Sequence, residues 1–319
     1  MKRRVVLPCA LAIAELLGGC SPGTSDGNAR EPLEVYSWLT SGSEGDALNA
    51  LFALIESQNP RMVITNSAQD NPQMAQEELK MRMAAGVPPD SFQVVSGKDL
   101  DDWINRGALE TLDSLASSQG WGEVVPASVL QTVSSQGTLY GVPLDIERDN
   151  TLFYNKAVFA AAGVPVPKNL TDVLTAAEAL KGHGVTPFEV SAAGGWTVAS
   201  HLFESVLVAQ AGPAFYQAYL GGQETPDAPE IRMALNTVAW MMDYANENRT
   251  SRMWYDAVFD VCAGQAAMLV LPDFVKGEFA HDGCGPDKID YLSMEPVGTP
   301  TFVFVSITFE LPKGAMDRD

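Results

Sequence analysis

The sequence predicts an α/β fold in two lobes, on three observations. Short apolar or β-branched runs alternate with longer stretches of helical periodicity, the pattern of largely parallel sheets covered by helices on both faces. The chain has 319 residues, 46% hydrophobic, 8% aromatic and only 19% charged. That is too much apolar material for a disordered chain, and the length suits two lobes better than one. Finally, Gly141-Val142-Pro143-Leu144-Asp145-Ile146-Glu147 is extended, with Pro143 confining it to an edge or crossing position. There the first lobe, 33–142, hands over to the second, 143–298, and 299–319 returns.

In chain order, Leu33 to Leu39 reads as a strand. Ser43 and Asp46 have capping-box spacing and predict a helix start. Leu48, Leu51, Phe52, Leu54 and Ile55 continue that helix until Asn59-Pro60 stops it. Met62 to Thr65 is a second strand, Gln73 to Ala85 a helix closed by Gly86 and Pro88, and Phe92 to Val95 a third strand. In the second half, Thr151 to Tyr154 is a strand. Lys156 to Ala162 and Leu170 to Lys181 are helices closed by Gly163 and Gly182. Pro187 to Ser191 is strand-like, and Trp196 to Ala211 and Glu230 to Ala245 are helical. Ala266 to Leu271 and Thr301 to Leu311 are apolar, β-branched runs that read as strands.

The N-terminus reads as an address label. Lys2, Arg3 and Arg4 precede an apolar stretch from Val5 to Leu17, then Leu17-Gly18-Gly19-Cys20, a basic start, a short apolar run and small residues before a cut site. The run is too short to span a bilayer. Leu-Gly-Gly-Cys resembles the lipobox of bacterial lipoproteins, which implies a signal peptide over 1–19, lipidation of Cys20 and a flexible tether to residue 32. The other reading is a plain secretory signal with an incidental Cys20. Either one exports the chain, and an oxidising compartment favours pairing of Cys262 with Cys284 over two free thiols.

Forty acidic residues against twenty basic ones leave a formal charge of -20. Nucleic acid and anionic bilayers repel such a chain, which leaves the lipid as its hold on the membrane and a neutral ligand as its partner. No His-Glu-x-x-His, Gly-rich phosphate loop, Gly-x-Ser-x-Gly or Cys-x-x-Cys occurs, and His183, His201 and His281 are scattered. Neither a metal nor a cofactor is expected. Asp145, Glu147 and Asp149 alternate along an extended segment and would share one face. Glycosidases need two carboxyl groups about 5–9 Å apart, yet three like charges on a strand are more often a solvated edge, so an enzyme is the minor reading.

Tyr154-Asn155-Lys156-Ala157-Val158-Phe159, with Ala162-Gly163-Val164-Pro165-Val166-Pro167-Lys168 close behind, resembles the extracellular solute-binding proteins of ABC importers, in particular the glucose/mannose-type sugar-binding branch. Tyr36-Ser37-Trp38, Ser41-Gly42-Ser43-Glu44, Pro89-Asp90-Ser91-Phe92-Gln93-Val94, Gly264-Gln265-Ala266-Ala267-Met268 and Leu311-Pro312-Lys313-Gly314-Ala315 agree in order and spacing. The resemblance covers the chain from about Leu33 onward. It implies the two-lobed, type II-like periplasmic-binding fold, a sugar clamped between the lobes, and a monomer that delivers it to the transmembrane subunits of an ABC permease. The alternatives are a surface lipoprotein that binds glycan or a protein partner without transport, and a decayed or fragmentary paralogue.

A pyranose has an apolar C–H face and a rim of hydroxyls, so its site needs aromatic planes and oxygen acceptors. By motif position the resemblance assigns those roles to Trp38, Glu44, Gln93 and Trp254. Trp196 and Asp273 join them as lip of the cleft and hydroxyl acceptor. For each a plainer role stays open: core packing for Trp38 and Trp196, a helix-start charge for Glu44, a turn cap for Asp273. Leu39, Val95, Phe274 and Ile307 stand where the branch carries Trp, His, Trp and a carboxylate. Each change costs a stacking face or a polar partner, roughly 1–3 kcal/mol for a lost hydrogen bond, and predicts weak affinity or a ligand other than the branch's usual hexose. The resemblance also implies that roughly a quarter of the usual family length is missing after Asp319.

Overall fold

The computed structural model describes residues 31–68, 71–193 and 198–315. The expected signal peptide, Cys20 and Trp196 lie outside the described residues. The first lobe contains β1 (Glu31–Tyr36), α1 (Gly42–Gln58), β2 (Met62–Asn66), α2 (Pro72–Ala84), β3 (Ser91–Val95) and α3 (Lys98–Asn105). Next come α4 (Asp113–Ser118), α5 (Trp121–Val124), α6 (Ala127–Thr132), β4 (Ser134–Ser135), β5 (Thr138–Leu139) and β6 (Gly141–Pro143). The crossing strand β7 (Glu147–Arg148) leads to β8 (Thr151–Asn155), α7 (Lys156–Ala162), α8 (Leu170–Gly182), β9 (Thr186–Phe188) and α9 (Val198–Leu220). The second lobe continues with α10 (Pro229–Met242), α11 (Trp254–Cys262), β10 (Ala266–Val270), α12 (Val275–His281) and β11 (Ile289–Ser293); β12 (Phe304–Val305) and β13 (Ile307–Glu310) return.

The first-lobe sheet has the order β2-β1-β3-β13-β6 and the second β11-β8-β10-β9. Each is largely parallel with one strand reversed. In the first lobe the reversed strand is β13, antiparallel to β3 and to β6. In the second it is β8, antiparallel to β10 and β11. These two strands lie next to the crossings, where the chain enters one sheet and comes back into the other. Between the lobes, β7 pairs antiparallel with β12 as a two-stranded ribbon.

Strand alternation divides the first-lobe core between the two faces of its sheet. Val35 packs with Leu39, Leu48 and Phe52 on the α1 face, while Tyr36 packs with Leu79, Phe92, Leu100 and Trp103 on the other. All five residues of β8 and of β10 are buried, as strands covered on both faces must be. Asparagine caps fix several boundaries: Asn71 Oδ1 accepts from the Met74 N–H at 3.0 Å and Asn169 Oδ1 from Asp172 at 3.0 Å. Asn155 caps α7 and its Nδ2 donates to the Val261 carbonyl at 2.8 Å, joining β8 to α11.

Some boundaries differ from expectation. β1 starts at Glu31, inside the expected tether. α9 runs to Leu220, past the expected end at Ala211, through a break at Gly212 (φ 83°) beside Pro213. α1 begins at Gly42, and the Ser43 hydroxyl makes no capping box: it turns to the second lobe instead. No helix among the described residues is long and apolar enough to cross a membrane.

Candidate functional site

Four carboxyl groups meet where the lobes join. Glu44 stands in the first turn of α1, Asp145 and Glu147 lie on the crossing, and Asp273 follows β10. Asp145 is fixed from the returning strand: its Oδ1 accepts from the Ile307 N–H at 2.8 Å, and Ser306 Oγ donates to its carbonyl oxygen at 2.6 Å. Asp273 is fixed to the outgoing strand, its Oδ1 accepting from the Arg148 N–H at 2.8 Å while Lys276 Nζ donates to Oδ2 at 2.9 Å.

Glu147 is only 9% exposed. Burial, the charges of Asp145 and Glu44, a hydrogen bond to Asp145 and the charge of Asp273 together push its carboxyl up to about 9. Burial also raises Asp145, against the Ile307 amide that favours its ionised form. One proton is therefore held between the pair, on Glu147. That proton is taken up within the pair, so at neutral pH the group presents acceptors. Among the described residues no set of three or more His, Cys, Asp or Glu side chains is arranged to hold a metal ion.

Apolar surface lies beside these oxygens. Trp254 opens α11, where Asp256 Oδ2 accepts from the Met253 N–H at 2.9 Å. Its ring meets Phe274, the neighbour of Asp273, edge-on at 5.3 Å between centroids. A disulfide between Cys262 and Cys284, with Cα atoms 5.8 Å apart, ties the end of α11 to the turn after α12. The wall that carries Trp254 and Asp273 is thus covalently braced.

The lobes also touch directly. Ser43 donates from both its main-chain N–H and its Oγ to Glu278 Oε1 on α12, each at 2.7 Å. Glycines permit the approach. A Cβ on Gly277 would come within 2.6 Å of Ser43 Oγ, and one on Gly42 within 2.6 Å of Glu278 Oε1.

The predicted residues divide into two sets. Glu44 and Asp273 are brought together around Glu147, and Trp254 stands beside Asp273 through Phe274. Trp38 is half-buried against both first-lobe cores and, among the described residues, makes no ring contact with Trp254. Gln93 is 1% exposed; its Oε1 accepts the Ser37 hydroxyl and its Nε2 has no partner among the described residues. It borders a cavity of about 70 Å3 with Leu79, Asp99 and Trp103, inside the first lobe. Trp196 lies outside the described residues. The larger depression, about 710 Å3, lies on the second lobe between α8 and α10, away from the carboxyl groups.

One expectation is corrected. Asp145, Glu147 and Asp149 are no solvated edge: Asp145 and Glu147 do share a side and a hydrogen bond, while Asp149 is buried and binds His201 Nδ1 at 2.5 Å. Burial and the charge of Asp149 in turn raise Glu204 to about 7. The positions that depart from the branch pattern have become packing positions. Leu39 joins the α1-face core, Val95 and Ile307 are paired in register, and Phe274 supports Trp254. Sequence reasoning missed Glu278 and the Ser43 contact, because nothing in the local pattern of either segment signals a partner so distant in the chain.

Residues 40–303 match the model of the bacterial extracellular solute-binding protein family. An ABC transporter extracellular-binding protein of Pyrococcus horikoshii is 30% identical over 98% of this chain and 72% of its own length. A probable sugar-binding periplasmic protein of Brucella suis is 30% identical over 96% of this chain and 72% of its own. Among solved structures, the bacterial solute receptor AcbH, described as having an exclusive preference for β-D-galactopyranose, superposes with a TM-score of 0.78 at 18% identity. It covers 91% of this chain and 73% of that one.

Proposed function

The chain belongs to the bacterial extracellular solute-binding proteins, and from that premise we propose that it is the receptor of an ABC importer that takes a mono- or small oligosaccharide between its lobes. Members of this family bind a solute and leave its bonds intact, so the carboxyl groups act as hydrogen-bonding groups rather than as acid and base. The observation that carries the reading is the convergence of Glu44, Asp145, Glu147 and Asp273 from three separate parts of the chain, beside the Trp254–Phe274 pair. Oxygen acceptors and an aromatic wall are what the rim and face of a sugar require. The sugar-binding descriptions of relatives support the same solute class.

Binding between lobes works by population shift: the sugar favours the closed arrangement because only there does it contact both sides. Trp38 contributes from the first lobe and Trp196 adds a further ring, while Gln93 acts by holding the Ser37 hydroxyl beside Trp38. Cys20 carries the lipid that holds the mature monomer at the membrane, within reach of the permease. The test is isothermal titration with glucose, galactose, mannose, xylose and maltose against the parent and Asp273→Asn. The parent binds at least one of them, and the variant loses roughly tenfold or more, the value of a hydrogen bond to a charged acceptor. Equal affinities would place the sugar elsewhere. Radiolabelled fatty acid enters the parent and not Cys20→Ala if the cysteine is the lipidation site.

A further inference from the structure

A second acceptor stands at the same edge of the second-lobe sheet. β9 and β10 are parallel, so they end on one side, where open α/β sheets place their ligands. Asp273 lies a short way beyond β10, and Glu189 follows β9 at once. The Glu189 N–H donates to the Met268 carbonyl at 2.8 Å. The loop beyond is pinned at three points: Val190 N–H to Asn246 Oδ1 at 2.8 Å, Ala192 N–H to the Arg249 carbonyl at 2.9 Å and Ala193 N–H to the Arg252 carbonyl at 3.0 Å.

So held, Glu189 is 3% exposed, yet its Oε1 has no hydrogen-bond partner among the described residues; nor does the hydroxyl of buried Ser191 two residues on. Leaving a buried acceptor unpaired costs free energy, and such groups call for a reason in function. The charged groups that act on Glu189 are Arg252 and Asp256, which flank Trp254 in sequence. Arg252 is itself taken up by Asp260 on α11, and Arg249 donates to the Asn246 carbonyl. Arg252 Nε has no hydrogen-bond partner among the described residues, and no ion pair to Glu189 forms among them.

We propose that Glu189 is a specificity-determining residue of the sugar site, its Oε1 accepting one ring hydroxyl of a sugar packed beside Trp254. The inference rests on the sugar-binding reading above and deepens it: Asp273 and Glu189 would define hydroxyl stereochemistry from two adjacent strands. Burial, with Asp256 adding and Arg252 opposing, raises the Glu189 carboxyl to about 7. The ionised form is the stronger acceptor, so affinity rises as pH passes through 7.

The experiment titrates glucose, galactose, mannose and xylose into the parent, Glu189→Gln, Glu189→Asp and Trp254→Ala at pH 6, 7 and 8, with the melting temperature of each sugar-free protein recorded alongside. Glu189→Gln is expected to weaken binding roughly tenfold at pH 8, to change the rank order among the epimeric hexoses, and to abolish the dependence on pH. Its sugar-free melting temperature should stay at or above the parent's, since a buried charge has been removed. If Glu189→Gln does not fold, Glu189→Asp carries the test, with the same change of rank order expected. Unchanged rank order and pH dependence in a folded variant overturn this inference alone. A parent that binds none of these sugars overturns it together with the sugar-binding reading.

Discussion

A carboxyl group set among three others and nearly sealed from water holds its proton, and Glu147 holds it up to about pH 9. The unfolded chain releases the same proton near pH 4.3. Between those values the folded form binds the extra proton, so the stability Glu147 contributes is fully present below about 4.3 and is lost as pH rises through 9. Glu189 and Glu204, raised to about 7, act in the same direction over a narrower window. The melting temperature should therefore fall from pH 5 to pH 9. Glu147→Gln, neutral at every pH, should flatten that decline by at least ~1 kcal/mol, less than one unit of the shift at ~1.4 kcal/mol each. Parallel curves for parent and variant would remove the buried proton from the account. Trp254→Ala tests the aromatic wall: sugar affinity should fall by roughly tenfold, the scale of an aromatic contact, with the far-ultraviolet spectrum unchanged. Glu44, Trp254 and Asp273 were legible because each sits in a short segment whose residue types carry a family pattern. The state of Glu147 was not, since it depends on Asp273, which the chain supplies more than a hundred residues later.

At the scale of elements, the contact between α1 and α12 depends on what two glycines leave out. Gly277→Ala would place a methyl group 2.6 Å from Ser43 Oγ and hold the lobes apart. We expect it to weaken sugar binding about fivefold or more, in line with a coupling of ~1 kcal/mol, and to enlarge the radius of gyration of the sugar-bound protein in small-angle scattering. Unchanged scattering and affinity would show that closure does not pass through this contact. The disulfide braces the neighbouring wall; its cysteines are 22 residues apart. Cys262→Ala with Cys284→Ala should cost about 3 kcal/mol in thermal unfolding on the chain-entropy view, and lower sugar affinity by loosening α11 against α12. Long, periodic elements were readable in advance: α1, α2, α8 and α10 fall within a few residues of expectation, and the short α7 was marked by the Gly163 that closes it. α3, α11, α12 and β11 were not. They are short, and such elements owe their form to what they pack on rather than to local periodicity. α3 offers only Leu100 and Trp103 as buried residues, and α12 only Val275, Glu278 and Phe279.

For the molecule as a whole, an excess of twenty acidic charges and the carboxyl cluster where the lobes join together disfavour anionic ligands and suit a hydroxylated one. The two sheets, each with its reversed strand beside a crossing, are joined by a narrow ribbon at β7 and β12. Two lobes and their sheets were visible in the alternation of strand and helix and in the extended segment with Pro143. The direct touch of α1 on α12 was invisible, because it joins residues 235 positions apart. The measurement that bears most directly on the whole account is a thermal-shift screen of the chain against neutral mono- and disaccharides, with citrate and glutamate as anionic controls. A ligand held only by the folded form raises the melting temperature. The account predicts a concentration-dependent rise with at least one neutral sugar, lost in Trp254→Ala, and none with the anions. A rise with the anions alone, or no rise with any sugar, would contradict it.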